Sequence, residues 1–128
     1  MPDHPNVLFL MADQYRPDLN GFAGNDMVRT PTLDWLAEDG VIFENAYTPS
    51  PVCIPGRQSI MMGQLPRTTG CERYGQDLAP ESYTFARHFA EHGYMTTCAG
   101  KLHHSGWDQM QGWLKRLGPT PMKRAVGD

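Results

Sequence analysis

Residues 93–104 are Gly-Tyr-Met-Thr-Thr-Cys-Ala-Gly-Lys-Leu-His-His. Tyr94 to Ala99 is a short run of strand-forming and apolar residues bounded by Gly93 and Gly100, which predicts a strand. The segment before it predicts a helix. Ser82 or Thr84 stands as N-cap, Phe85 with Phe89 and Ala86 with Ala90 are spaced four apart, and Gly93 closes the element. A helix running straight into a strand suggests a layered α/β chain. Gly100-Lys101-Leu102-His103-His104 then leaves the strand's carboxyl end carrying a cation and two imidazoles.

Working outward, Val7-Leu8-Phe9-Leu10-Met11-Ala12 is a continuous apolar run that stops at Asp13, as expected of a strand buried on both faces of a parallel sheet. Residues 15–29 are polar and glycine-rich and read as a loop. Thr30-Pro31 opens a helix with Thr at the N-cap and Pro at N1; Leu33, Leu36 and Ala37 share one face, and Gly40 takes the C′ place. Val41-Ile42-Phe43 starts a second strand reaching Tyr47. A short helix is expected over 57–62 and irregular chain over 64–81. A further helix is expected around Trp113, Leu114 and Leu117, and a loose tail over 119–128. Strands separated by helices imply parallel pairing with right-handed crossovers. In such sheets ligands bind beyond the carboxyl ends of the strands. Asp13, the loop holding Cys53, and Lys101 each follow a strand in this reading, and would share one rim.

Composition narrows the function classes. The chain has 128 residues, a net charge of −3, and 40% hydrophobic and 20% charged residues, as expected of one globular domain. No basic stripe is present, which argues against nucleic-acid binding. No apolar run is long enough to span a bilayer, so no membrane association is expected. The opening residues lack a basic n-region, and the apolar run meets Asp13 too soon for a secretory signal, so a cytoplasmic location is expected. The three cysteines, Cys53, Cys71 and Cys98, are odd in number and widely spaced, and form neither a disulfide framework nor a CxxC zinc pair.

Ser50-Pro51-Val52-Cys53-Ile54-Pro55-Gly56-Arg57 places a thiol in a Pro- and Gly-rich turn. A helix beginning near Gly56 would aim its free N–H groups at that thiol, and Arg57 would add a full charge, an arrangement suited to an anion and to thiolate chemistry. Read on its own, the pentapeptide is also compatible with an ordinary turn that happens to contain cysteine.

Cys53-Ile54-Pro55-Gly56-Arg57 followed by Met61-Met62-Gly63 resembles the type I sulfatase signature, C-x-P-x-R with a downstream apolar pair and glycine. Gly93 to His103 resembles that family's second signature. Asn6 to Gln14 is similar to its first strand and metal-binding end, Thr30 to Ala37 to the segment usually written TPNLDRLA, and Gly40 to Tyr47 to the strand after it. These motifs in the family's order, from about Asn6 to Gly112, identify the chain as a member.

The resemblance implies an alkaline phosphatase-like α/β fold, with a mostly parallel sheet and flanking helices. Residues 1–118 would be the N-terminal part of a sulfatase catalytic domain, incomplete by itself. It implies a sulfuric ester hydrolase in which a maturation enzyme converts Cys53 to formylglycine. The hydrated aldehyde is then the nucleophile toward a sulfate ester. Asp13, Gln14 and the modified Cys53 would face a divalent cation, usually calcium. Arg57 would hold the formylglycine, Lys101 a sulfate oxygen, and His103 would orient the diol or move a proton. Gln14 departs from the family's usual Asp-Asp pair, and Ile54 and Gly56 replace residues that are often small and polar.

Plainer roles compete for the same residues. Asp13 would serve equally as a turn cap and Lys101 as a solvated loop lysine. His104 is expected at the surface, His88 and His92 as ordinary helix residues, Cys98 in the core, and Cys71 in a loop with no partner to name. The chain supplies two or three cation ligands where calcium takes six or more. It is therefore expected to bind metal poorly and to turn over little alone. A phosphonate or phosphodiester hydrolase of the same superfamily, or a non-catalytic remnant acting as a binding module, are the alternative readings.

Overall fold

The computed structural model describes residues 4–118. The chain divides into two compact units, Met1–Ala46 and Tyr47–Asp128.

In the first unit, two 3-10 turns, Pro17–Leu19 and Gly21–Ala23, precede helix α1, Pro31–Asp39. Thr30 is the N-cap with proline in the first turn, as the sequence predicts. Its hydroxyl, however, does not cap the helix. It accepts from the Gly21 N–H at 2.8 Å and donates to Asp34 Oδ1 at 3.0 Å. Asp34 also accepts from the Phe22 N–H at 2.8 Å, so the 3-10 segment is tied to the first turn of α1 by polar bonds. Gly40 ends the helix but is not left-handed, with φ −99° and ψ −165°. Glycine is still favoured there, because a Cβ would lie 2.6 Å from the Leu36 carbonyl oxygen.

The strands expected over 7–12 and 41–47 are not formed. Val7 to Met11 and Val41 to Phe43 are exposed. A strand is defined by its ladder, since each backbone N–H and C=O must find a neighbour. Apolar composition provides the capacity for burial but no partner. The sole ladder among the described residues lies in the second unit.

That unit contains helices α2 (Cys53–Met62), α3 (Pro66–Thr69) and α4 (Phe85–Glu91) and strands β1 (Thr97–Ala99) and β2 (Lys115–Leu117). β1 and β2 pair in parallel, with Thr97 opposite Lys115, Cys98 opposite Arg116 and Ala99 opposite Leu117. The α/β class and the parallel sense of the sheet are as predicted, but the partner of β1 is not one of the strands expected. The helix expected around Trp113 to Leu117 is instead coil followed by β2. Gln111 and Gly112 have φ +47° and +93°, which breaks a helix. The Thr96 carbonyl then accepts from the N–H groups of Leu114 and Lys115, each at 3.1 Å, and starts the ladder. α2 begins earlier than expected, at Cys53, and α3 is a helical turn within a stretch expected to be irregular.

The core is Ile54, Met61, Cys71, Leu78 and Ala86, with Cys53, Met62, Phe85 and Trp113 packed against it. Phe85 and Trp113 meet edge to face at 5.5 Å. Cys98 is buried, as expected; Cys71 is a core residue with no exposed surface. The tail expected to be loose, 119–128, lies outside the described residues.

Candidate active site

α2 starts where its sequence lets it. Pro55 falls in the first turn, where its missing N–H has no intrahelical acceptor to satisfy. The first helical bond runs from the Gly56 N–H to the Val52 carbonyl, 3.0 Å. Helical geometry offers no partner to the N–H groups of Cys53 and Ile54, so this end is an electropositive terminus with the cysteine in it. The entering chain is held by a Ser/Thr turn, in which Thr48 Oγ1 donates to the Ser50 carbonyl at 2.9 Å and the Val52 N–H donates to Ser50 Oγ at 3.2 Å. Gly56 lies close under this turn: a Cβ there would be 3.2 Å from the Ser50 carbonyl oxygen. At the other end Gly63 adopts φ +64°. Its N–H bonds the Ile60 carbonyl at 3.4 Å and the Gln64 N–H bonds the Ser59 carbonyl at 3.2 Å, the two bonds of a Schellman cap.

Two consecutive side chains of α2 grip the Lys101–His103 segment. Arg57, 8% exposed, donates from Nη1 to the Lys101 carbonyl at 2.6 Å. Gln58, fully buried, donates from Nε2 to the His103 carbonyl at 3.3 Å. Between them the chain turns through a left-handed residue, His103, with φ +65°. An L residue costs about 1–2 kcal/mol there, so the turn depends on its anchors. Tyr74 meets the His103 ring edge to face at 5.5 Å. Lys101 is exposed and His103 half-buried.

The far side of the turn is clamped by Asp77. It accepts from His104 Nδ1 at 3.4 Å and from the Gly106 N–H, and Oδ1 also accepts from the Leu78 N–H at 2.9 Å. Burial opposes its charge, but the His104 and backbone hydrogen bonds prevail and hold its carboxyl below the usual range. Ser105 Oγ donates to the Gln76 carbonyl at 3.2 Å. His104 is 1% exposed, a correction to its expected surface position: its ring is sequestered by the carboxylate that orients it. Burial, aided by the Asp77 charge, pushes the Cys71 thiol up to about 11. Burial also raises that of Cys98. Cys53 is half-buried.

The structure thus brings Arg57 to Lys101, and the α2 turn that follows Cys53 to His103. Asp13 and Gln14 belong to the first unit, both exposed in a bend. They carry hard oxygen atoms of the kind calcium takes, but calcium binds six to eight oxygens. Among the described residues no group of three or more His, Cys, Asp or Glu is placed to hold a metal ion. The donor type fits and the donor number does not. Gln58, Tyr74 and Asp77 escape sequence reasoning because their roles depend on contacts across 27 to 45 residues. The one signal was the placement of Gln58 directly beside Arg57.

The sequence also matches known proteins. A family model described as Sulfatase matches residues 5–120. An arylsulfatase of Clostridium perfringens is 43% identical over 101 residues, covering 77% of this chain and 21% of the relative. A choline-sulfatase of Rhizobium meliloti is 38% identical over 113 residues, covering 88% and 22%. The human iduronate 2-sulfatase is 37% identical over 107 residues, covering 81% and 19%. The chain spans about a fifth of the length of these relatives. With a family model matched across nearly the whole sequence, the chain belongs to the sulfatase family.

Proposed function

We propose that this chain carries the nucleophile-bearing part of a sulfuric ester hydrolase, and that Cys53 is the precursor of a formylglycine. The observation that carries the reading is the Arg57–Lys101 hydrogen bond. It joins the Cys-x-Pro-x-Arg helix to the Gly-Lys-Leu-His turn, two motifs separated by 44 residues. The hydrated aldehyde at residue 53 supplies two hydroxyls. One attacks sulfur as the alcohol leaves, and the other gives up its proton as sulfate is expelled and the aldehyde returns.

The chain's own residues have the following parts in this reading. The start of α2 holds residue 53 at an electropositive helix end, where negative charge on a sulfate is stabilised. Arg57 fixes the Lys101 backbone and adds positive charge beside the reacting group. Lys101 takes a sulfate oxygen, and His103 takes or returns a proton. Asp13 and Gln14 would supply part of a calcium ion's oxygen shell. Because those donors are too few for calcium, the 128-residue chain alone is expected to bind calcium weakly and to hydrolyse aryl sulfates little or not at all.

The test is labelling with an aminooxy probe, which captures aldehydes, after expression in a host possessing the formylglycine-generating enzyme. Label on the peptide containing residue 53, absent from Cys53→Ala, supports the proposal. Absence of label from the unsubstituted chain contradicts it.

A further inference from the structure

We propose that the end of α4 carries a second, unrelated cation site: a two-imidazole chelate, formed by His88 and His92, for a borderline divalent metal such as Zn2+, Ni2+ or Cu2+. The two residues are one helical turn apart. Their ring centroids are 4.3 Å apart, with planes inclined at 34°. The turn that stacks them is closed by the His92 N–H donating to the His88 carbonyl at 3.2 Å. Histidines spaced i, i+4 on one helix face are a recurrent zinc-binding arrangement.

The hydrogen bonds fix both tautomers. His92 Nδ1 lies 2.7 Å from the His88 carbonyl oxygen. A carbonyl oxygen only accepts, so His92 Nδ1 carries the proton and Nε2 keeps its lone pair. His88 Nδ1 lies 3.0 Å from the Tyr83 hydroxyl. That hydroxyl's single proton is donated to Glu91 Oε2 at 2.9 Å. Its oxygen therefore accepts from His88 Nδ1–H, and His88 Nε2 also keeps its lone pair. Each ring donates one N–H to a protein oxygen and offers the other nitrogen, as metal-binding imidazoles almost always do. All four side chains are exposed, so a hydrated ion reaches them freely.

Imidazole nitrogens select zinc, nickel and copper over calcium or magnesium. This separates the site chemically from the oxygen-ligand cation of the proposed function. No third His, Cys, Asp or Glu completes a cage among the described residues. Water fills the remaining positions, and the affinity is that of a bidentate chelate.

The experiment is a Zn2+ titration of the full chain at mildly alkaline pH, followed by calorimetry and by NMR of the histidine rings. The expected result is binding tighter than about 1 mM, with the His88 and His92 ring signals moving together and Ca2+ moving neither. His88→Asn and His92→Asn each weaken that binding by about tenfold or more. Tyr83→Phe keeps both ligands but removes the oxygen that sets the His88 tautomer, and it also weakens binding. Circular dichroism confirms that the exposed variants stay folded. Undiminished zinc binding in the double variant, shifts confined to other residues, or no binding up to millimolar zinc would each overturn the proposal.

Discussion

Arg57 shows most directly how one side chain links two motifs. Its side chain is 8% exposed and donates to the Lys101 carbonyl, so Arg57→Ala removes a charged hydrogen bond that ties the two motifs together. The expected loss is about 1.5–3 kcal/mol, read by urea denaturation of the second unit. Asp77 yields a pH prediction. Its folded-state carboxyl titrates lower than in the unfolded chain. Its contribution is therefore complete above the ordinary aspartate range and is lost as pH falls through the lower folded value. Stability should drop in the acid range below about pH 4, and Asp77→Asn should flatten that drop when melting is followed against pH. The cysteines differ in accessibility and chemistry. In the folded chain, iodoacetamide should modify an unconverted Cys53 first. Cys71 and Cys98 should react only on unfolding, because burial removes access and raises both thiols; peptide mapping reads the order. The sequence exposes Arg57 and Lys101 as residues worth watching, but not that one holds the other's backbone. It leaves His104 looking like a surface histidine because its partner, Asp77, lies 27 residues away.

Among the elements, α1 and α4 are the legible helices, whereas α2 starts at Cys53 ahead of its expected place, α3 lies in a stretch expected to be irregular, and the helix expected around Trp113 is coil followed by β2. The Thr30-Pro31 start and the Thr84 cap, which accepts from the Arg87 N–H at 3.2 Å, are both written within a few residues of where they act. Local signals of this kind need no tertiary knowledge. Two glycines of α2 separate the local terms. Gly63→Ala meets open space but must adopt φ +64°, so it should cost about 1 kcal/mol or more. Gly56→Ala gains helix propensity but sets a Cβ 3.2 Å from the Ser50 carbonyl oxygen. The two effects oppose, and its melting temperature should move less than that of Gly63→Ala. The strands were legible only where a partner exists. Tyr94 to Ala99 is shortened to Thr97–Ala99 and paired with β2. Val7 to Ala12 and Val41 to Tyr47, read with the same rules, have no ladder. The residues of β2 are extended because they pair with β1, and their own pattern does not specify a strand.

For the whole molecule, the α/β class and the family were readable because the motifs lie in a fixed order along the chain. Asp13 and Gln14 could be named from the sequence, but among the described residues no group of three or more His, Cys, Asp or Glu is placed to hold a metal ion. We propose that the start of α2 presents Cys53 as the precursor of an electrophile beside the Lys101–His103 turn. The most direct measurement is the mass of the Cys53 peptide from chain expressed with the formylglycine-generating enzyme, for the unsubstituted sequence and for Arg57→Ala. A loss of about 18 Da is expected in the first, the thiol having become an aldehyde, and a largely unconverted thiol in the second. An intact thiol in the unsubstituted chain, under conditions where an authentic sulfatase is fully converted, would contradict it.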